Sequence, residues 1–150
     1  MKGMSNFDWR GYFELAEELF EGRPVSNQEA KCRTVISRAY YAALLVAREY
    51  VEDPQWGLGY RIDNDRVHRE VPARIEQEGK EKGDTDLIGI ADLLVELKKK
   101  RRDADYEPWY KRGRANVKDE AENSIEQAGD VITKIDAIKT AKTNPGSQAP

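Results

Sequence analysis

Val35, Ile36, Ala39, Tyr40, Ala43, Val46, Ala47, Tyr50 and Val51 recur three and four residues apart. Only a helix gathers residues so spaced onto one face. The helix that carries it, counted from Ser26, lasts about seven turns and stops before Pro54. A helix of that length with a continuous apolar face must be buried against others, and its repeated alanines let a neighbour approach closely. Four further stripes supply those neighbours. The first has Phe7, Phe13 or Tyr12, Ala16, Leu19 and Phe20 turned inward, and the third has Val67, Val71 and Ile75. Leu87, Ile90, Ala91, Leu94 and Leu97 form the fourth, and Val117, Ala121, Ile125, Ala128, Ile132, Ile135 and Ile138 the fifth. No alternating pattern of strand length competes with them. The expectation is an all-α fold, an antiparallel up-and-down bundle of four to five helices.

Punctuation sets the expected boundaries. The first helix spans about Phe7 to Glu21, opened by Ser5-x-x-Asp8 as a capping box and closed by Gly22 and Pro24. Ser26-x-x-Glu29 caps the second. The third starts near Asp63 or Asn64 and ends at Gly79, with Pro72 making it short, kinked or late-starting. Asp84 caps the fourth, Thr85 to about Ala104. Residues 1–140 read as a single domain, and 141–150, polar with Pro and Gly, as a disordered tail.

The 150 residues are enough for one domain with a real core, although 35% are charged. No apolar run reaches the roughly 20 residues of a membrane span, and the first residues lack a signal-peptide core. A lone cysteine, Cys32, excludes an internal disulfide. A cytoplasmic protein without membrane association is expected. One histidine and one cysteine cannot build a zinc or dimetal centre, so neither a metal nor any other cofactor is expected. Trp56-Gly57-Leu58-Gly59 lacks the strand and the lysine spacing of a phosphate loop.

The fourth stripe ends on an anomaly. Its next position is Arg101, followed on the same face by Ala104 and Asp105. An uncompensated guanidinium in a core costs several kcal/mol. Arg101 therefore pairs with a carboxylate or faces a cleft that takes an anion. An Asp105–Arg101 or Asp105–Arg38 pair would be purely structural. Around the anomaly lies a basic island: Lys98, Lys99, Lys100, Arg101, Arg102, Lys111, Arg112 and Arg114 against Asp103, Asp105 and Glu107. Elsewhere 17 bases face 25 acids, so a net charge of −3 conceals a cationic patch on an acidic body. Cations at a helix C-terminus would also favour its dipole, but the island runs past the helix, with Trp109 and Tyr110 interleaved.

Two segments, Ser37-Arg38-Ala39-Tyr40-Tyr41-Ala42-Ala43 and Leu97-x-x-x-Arg101-Arg102-Asp103-Ala104-Asp105-Tyr106, in this order, resemble the HEPN domain family, over roughly residues 10–138. Val67-His68-Arg69-Glu70 stands where that family often carries a histidine opening its third helical segment. The resemblance implies a dimerising helical bundle from prokaryotic toxin–antitoxin or defence modules. Many such domains are metal-independent ribonucleases with an Arg-x4–6-His motif; others bind nucleotides, RNA or a cognate nucleotidyltransferase without catalysis.

Here the motif departs, because Tyr106 stands five residues after Arg101 where the active ribonucleases have histidine. A tyrosine near its ordinary pKa of about 10 is a poor base. His68 would supply the imidazole if its helix faced Arg101; otherwise it is an ordinary surface or capping histidine, the expected case. On this reading Arg101 holds a phosphate, Asp105 orients it, and Tyr106 and Tyr41 stack a base or bond a phosphate. Lys98, Lys99, Lys100, Arg102, Arg38, Trp109, Lys111, Arg112 and Arg114 contact RNA. Cleavage is less expected than binding. The alternative is a non-catalytic interaction or nucleotide-binding module that pairs with itself or with the nucleotidyltransferase, Arg101 and Asp105 being a clamp.

Overall fold

A computed structural model describes residues 7–113 and 116–143. The described residues hold five α-helices and no strand: α1 (Arg10–Glu21), α2 (Gln28–Glu52), α3 (Val67–Lys82), α4 (Thr85–Tyr106) and α5 (Val117–Thr143). Single 3₁₀ turns occupy Asn64–Arg66 and Tyr110–Gly113. This is the expected all-α bundle. Helix α2 is its axis and packs against all four others, most extensively against α5. Every residue of the α2 stripe is buried. The alanines do what their size permits: Ala39, Ala42, Ala43 and Ala47 are all fully enclosed. No described helix is long and apolar enough to cross a membrane.

Several boundaries differ from expectation, each for a local reason. Ser5 lies outside the described residues, and Asp8 accepts from Arg10 N at 3.0 Å just before α1. Phe7 is exposed rather than inward and packs on Trp9 and Tyr12. Asn27, not Ser26, caps α2 by accepting from Ala30 N at 2.9 Å; asparagine caps as well as serine. Glu29 instead pairs with Arg33 at 3.0 Å. Asp84 caps α4 as expected, accepting from Asp86 N and Leu87 N.

Helix α3 starts late, at Val67, but it is neither short nor ended by Gly79. Pro72 is the sixth residue of the helix, so it leaves the His68 carbonyl without its usual i+4 donor, but the helix runs through it and its ring is buried. Gly79 sits inside the helix because a Cβ there would lie 3.0 Å from the backbone nitrogen of Ile88. The helix ends at Gly83, in the left-handed region with φ 63°. Helix α5 includes Ala141, Lys142 and Thr143, expected in the tail; residues 144–150 lie outside the described ones. The Trp56-Gly57-Leu58-Gly59 segment folds back on the end of α2, where Leu58 N donates to Tyr50 O and Tyr60 N to Val51 O.

Helix α4 runs two residues beyond Ala104, and Arg33 of α2 explains the extension. Its guanidinium donates to the carbonyls of Ala104 at 3.0 Å, Glu107 at 2.7 Å and Pro108 at 3.3 Å. The Ala104 carbonyl is one of those a helix end leaves without partners, and the other two lie just past that end. Arg101, Asp105 and Tyr106 are thereby all held on one helical frame.

Candidate functional site

Three helices build the site. Helix α4 brings Arg101, Asp105 and Tyr106, α2 brings Ser37, Arg38, Tyr40 and Tyr41, and the first turn of α3 brings His68. Leu94, Leu97 and Ala104 bury the same face of α4, so Arg101 is carried into the core by its register and is only 8% exposed. Its Nη1 lies 3.4 Å from Asp105 Oδ2, long for a charge-assisted hydrogen bond. Its Nε is buried with no partner among the described residues. Around it stand three aromatic rings, with centroids 5.4 Å (Tyr40), 5.5 Å (Tyr41) and 5.8 Å (Tyr106) from the guanidinium carbon. Each is within range of a cation–π attraction.

Of the two structural pairs foreseen for Asp105, the one with Arg101 forms and the one with Arg38 does not. Arg38 instead lies over Tyr12 at 4.9 Å and Tyr41 at 5.1 Å, turned toward α1. Asp105 is shared, accepting from Ser37 Oγ at 3.4 Å as well. With its side chain 29% exposed at the rim, it neutralises Arg101 only in part. A guanidinium has five N–H donors, and the one on Nε is buried here without a partner among the described residues.

His68 is not the surface or capping histidine that was expected. Its Nδ1 lies 2.6 Å from Tyr40 Oη, and the two rings stack with centroids 5.7 Å apart and planes 14° from parallel. Tyr41 meets the same imidazole edge-on, at 5.7 Å and 76°. Burial, then the charges of Arg101 and Lys98, hold the His68 pKa below the ordinary histidine value. Burial also pushes the Tyr40 hydroxyl well above the usual tyrosine range, against the opposing pull of Arg101. Tyr40 therefore stays protonated and His68 neutral near pH 7. An imidazole from α3 thus shares the rings of Tyr40 and Tyr41 with Arg101.

The basic island divides. Relative to Arg101, a rise of 100° per residue puts Lys98, Arg102 and Lys99 together on the flank toward Asp105 and Tyr106, and Lys100 on the opposite flank. Lys100 donates to Gln127 of α5 at 2.9 Å. Lys111 pairs with Glu120, whose carboxyl would rise on burial but is held below its ordinary value by Lys111 and Lys100. Both cations are thus engaged within the bundle rather than presented with the others. Lys99 and Arg102 are exposed and Lys98 is half-buried. Trp109 is 76% exposed and Tyr106 73% exposed beside the site. Arg112 belongs to the Tyr110–Gly113 turn, and Arg114 lies outside the described residues.

Two contributors were not foreseen, Arg33 and Ser37. Both lie on α2 at steps of four from Tyr41, the spacing that stacks side chains on one helix face. That spacing is a signal for Ser37 and Arg33 together, but nothing in it reveals that α4 ends against them.

No family model matches the chain, and no solved structure matches it. An uncharacterized protein of Methanocaldococcus jannaschii is 33% identical over 102 residues, which are 63% of this chain and 57% of that protein. The chain thus spans little more than half the length of this relative.

Proposed function

We propose that this chain is a HEPN-like component of a toxin–antitoxin or defence module that binds RNA, with Arg101 as the contact to a backbone phosphate. The observation that carries this reading is the state of Arg101: buried, held by one 3.4 Å contact to a shared carboxylate, with Nε lacking any partner among the described residues. A cation so placed is short of negative charge, and a phosphate oxyanion matches the guanidinium fork. The exposed ring of Tyr106 stands beside it as a stacking platform, and Lys98, Lys99 and Arg102 line the approach. The reading of Arg101–Asp105 as a purely structural clamp has less support, since a clamp would satisfy the buried donors.

The test is RNA affinity as a function of salt, by fluorescence anisotropy with a labelled single strand. Affinity falls as salt rises, and Arg101→Ala and Arg101→Met each weaken binding by at least about tenfold, consistent with loss of a charge-assisted contact of about 1.5–3 kcal/mol. Helical content measured on both variants separates lost binding from lost folding. RNA binding that is absent at low salt, or indifferent to Arg101, sinks the proposal.

A further inference from the structure

We propose that Tyr40 is a positioning residue that fixes His68 as a hydrogen-bond donor, so that His68 Nε2–H and the Arg101 guanidinium take one phosphodiester oxyanion between them. This rests on the RNA reading above and assigns its second donor. The direction of the Tyr40–His68 bond decides the matter. Tyr40 is 1% exposed, and the one acceptor its hydroxyl meets among the described residues is Nδ1, at 2.6 Å, since Arg101, which also faces it, can only donate. If that hydroxyl accepted from Nδ1–H, its own proton would be buried without an acceptor, which is costly. By donating, it loses nothing and leaves its lone pair toward the Arg101 charge. The neutral ring then has one proton left, and it must sit on Nε2.

Ring geometry does the rest. Nδ1 points into the core at Tyr40, so Nε2, on the far side of the ring, points away from it. No described residue bonds Nε2. Arg101 and His68 lean on the same two rings, those of Tyr40 and Tyr41, from neighbouring helices. The groups facing the imidazole are Tyr40 and Tyr41 from α2 and Arg101 and Lys98 from α4. The nearby carboxylate, Asp105, is taken by Ser37 and Arg101. What remains is a neutral N–H donor on a half-buried ring, set against the same two tyrosines as a cation whose Nε has no partner among the described residues; on the proposal the two share one anion.

Two consequences follow. A nitrogen that already carries a proton cannot accept one from a 2′-hydroxyl, so His68 binds phosphate and does not act as a base. Acidification through the lowered His68 pKa turns the donor into a cation and tightens RNA binding.

The experiment has two arms. Long-range proton–nitrogen correlation spectra of the uniformly labelled protein near pH 7 report the tautomer: wild type shows the Nε2–H form alone, and Tyr40→Phe shows an average of both forms. In the second arm, anisotropy with single-stranded RNA compares His68→Gln, whose amide nitrogen falls near the Nε2 position, with His68→Asn, whose amide reaches only the Nδ1 position. Gln stays within about threefold of wild type and abolishes the tightening at acid pH, while Asn binds about tenfold more weakly. An Nδ1–H tautomer in wild type, or Asn equal to Gln, overturns the inference. Its failure is separable from that of the RNA reading. Inorganic phosphate moving the Nε2 resonance without any RNA binding removes RNA and keeps the donor pair. RNA binding that depends on Arg101 while Nε2 stays unmoved does the reverse.

Discussion

Arg101 occupies a position that the apolar stripe of α4 assigns to a leucine, and its guanidinium is left with a single long contact and a bare Nε. Desolvation of such a charge commonly exceeds what one partial ion pair returns. Arg101→Met, which keeps the length of the chain and places a polarisable sulfur among Tyr40, Tyr41 and Tyr106, should therefore raise stability by about 1 kcal/mol. Urea unfolding checks this. A loss of about 3 kcal/mol or more would mark Arg101 as a structural clamp, the value expected when one partner of a satisfied buried pair is removed. The sequence exposed this residue through its violation of periodicity. It offers His68 only conditionally, because one histidine in the first turn of a short apolar stripe carries no information about which helix it will face. The contact depends on the angle at which α3 leaves the loop after Ile62, a tertiary quantity.

At the scale of elements, two glycines that look alike in the sequence have opposite roles. Gly79 and Gly89 both lie within helices, where alanine is better by about 1 kcal/mol in the absence of other contacts. A Cβ on Gly89 would meet only the flexible Nζ of Lys134 at 3.8 Å, so Gly89→Ala should stabilise by about 0.5–1 kcal/mol. A Cβ on Gly79 would sit 2.9 Å from the Ile88 side chain, 3.0 Å from its backbone nitrogen and 3.0 Å from Leu87 Cβ. The first turn of α4 would have to move, and Gly79→Ala should cost about 1–3 kcal/mol instead. Thermal melts of the two variants, shifting in opposite directions, check the pair; a rise for both would show that α3 and α4 are not in close contact there. The same contrast explains what the sequence could and could not reveal. The stripes of α2, α4 and α5 were legible because period alone fixes a buried face. In the sequence Gly79 reads as a helix end because a glycine after the last apolar position is an ordinary stop signal, and only the approach of α4 gives it a different meaning. Likewise the end of α4 is set by Arg33, some 70 residues away.

For the whole molecule the governing feature is charge asymmetry, and the structure narrows it. Eight cations cluster between positions 98 and 114 on a chain that is otherwise acidic. Lys100 and Lys111 are drawn into bonds with Gln127 and Glu120 of α5, where they join α5 to α4 and to the loop after it. Lys98, Lys99 and Arg102 share the flank beside Arg101. On the proposed RNA reading, the salt dependence of binding can count those that act. Each phosphate neutralised on a single strand contributes about 0.7 to the slope of log affinity against log salt. Arg102→Gln should reduce the magnitude of that slope by about 0.7, whereas Lys100→Gln and Lys111→Gln should leave it unchanged and lower only stability, by up to about 1 kcal/mol for partly exposed pairs. The acidic remainder of the surface repels the strand, so binding should stay confined to this flank rather than spread over the bundle. Equal slope losses at positions 100, 102 and 111 would mean that the whole island is one solvated patch, and that the partition made by α5 does not govern where RNA lies.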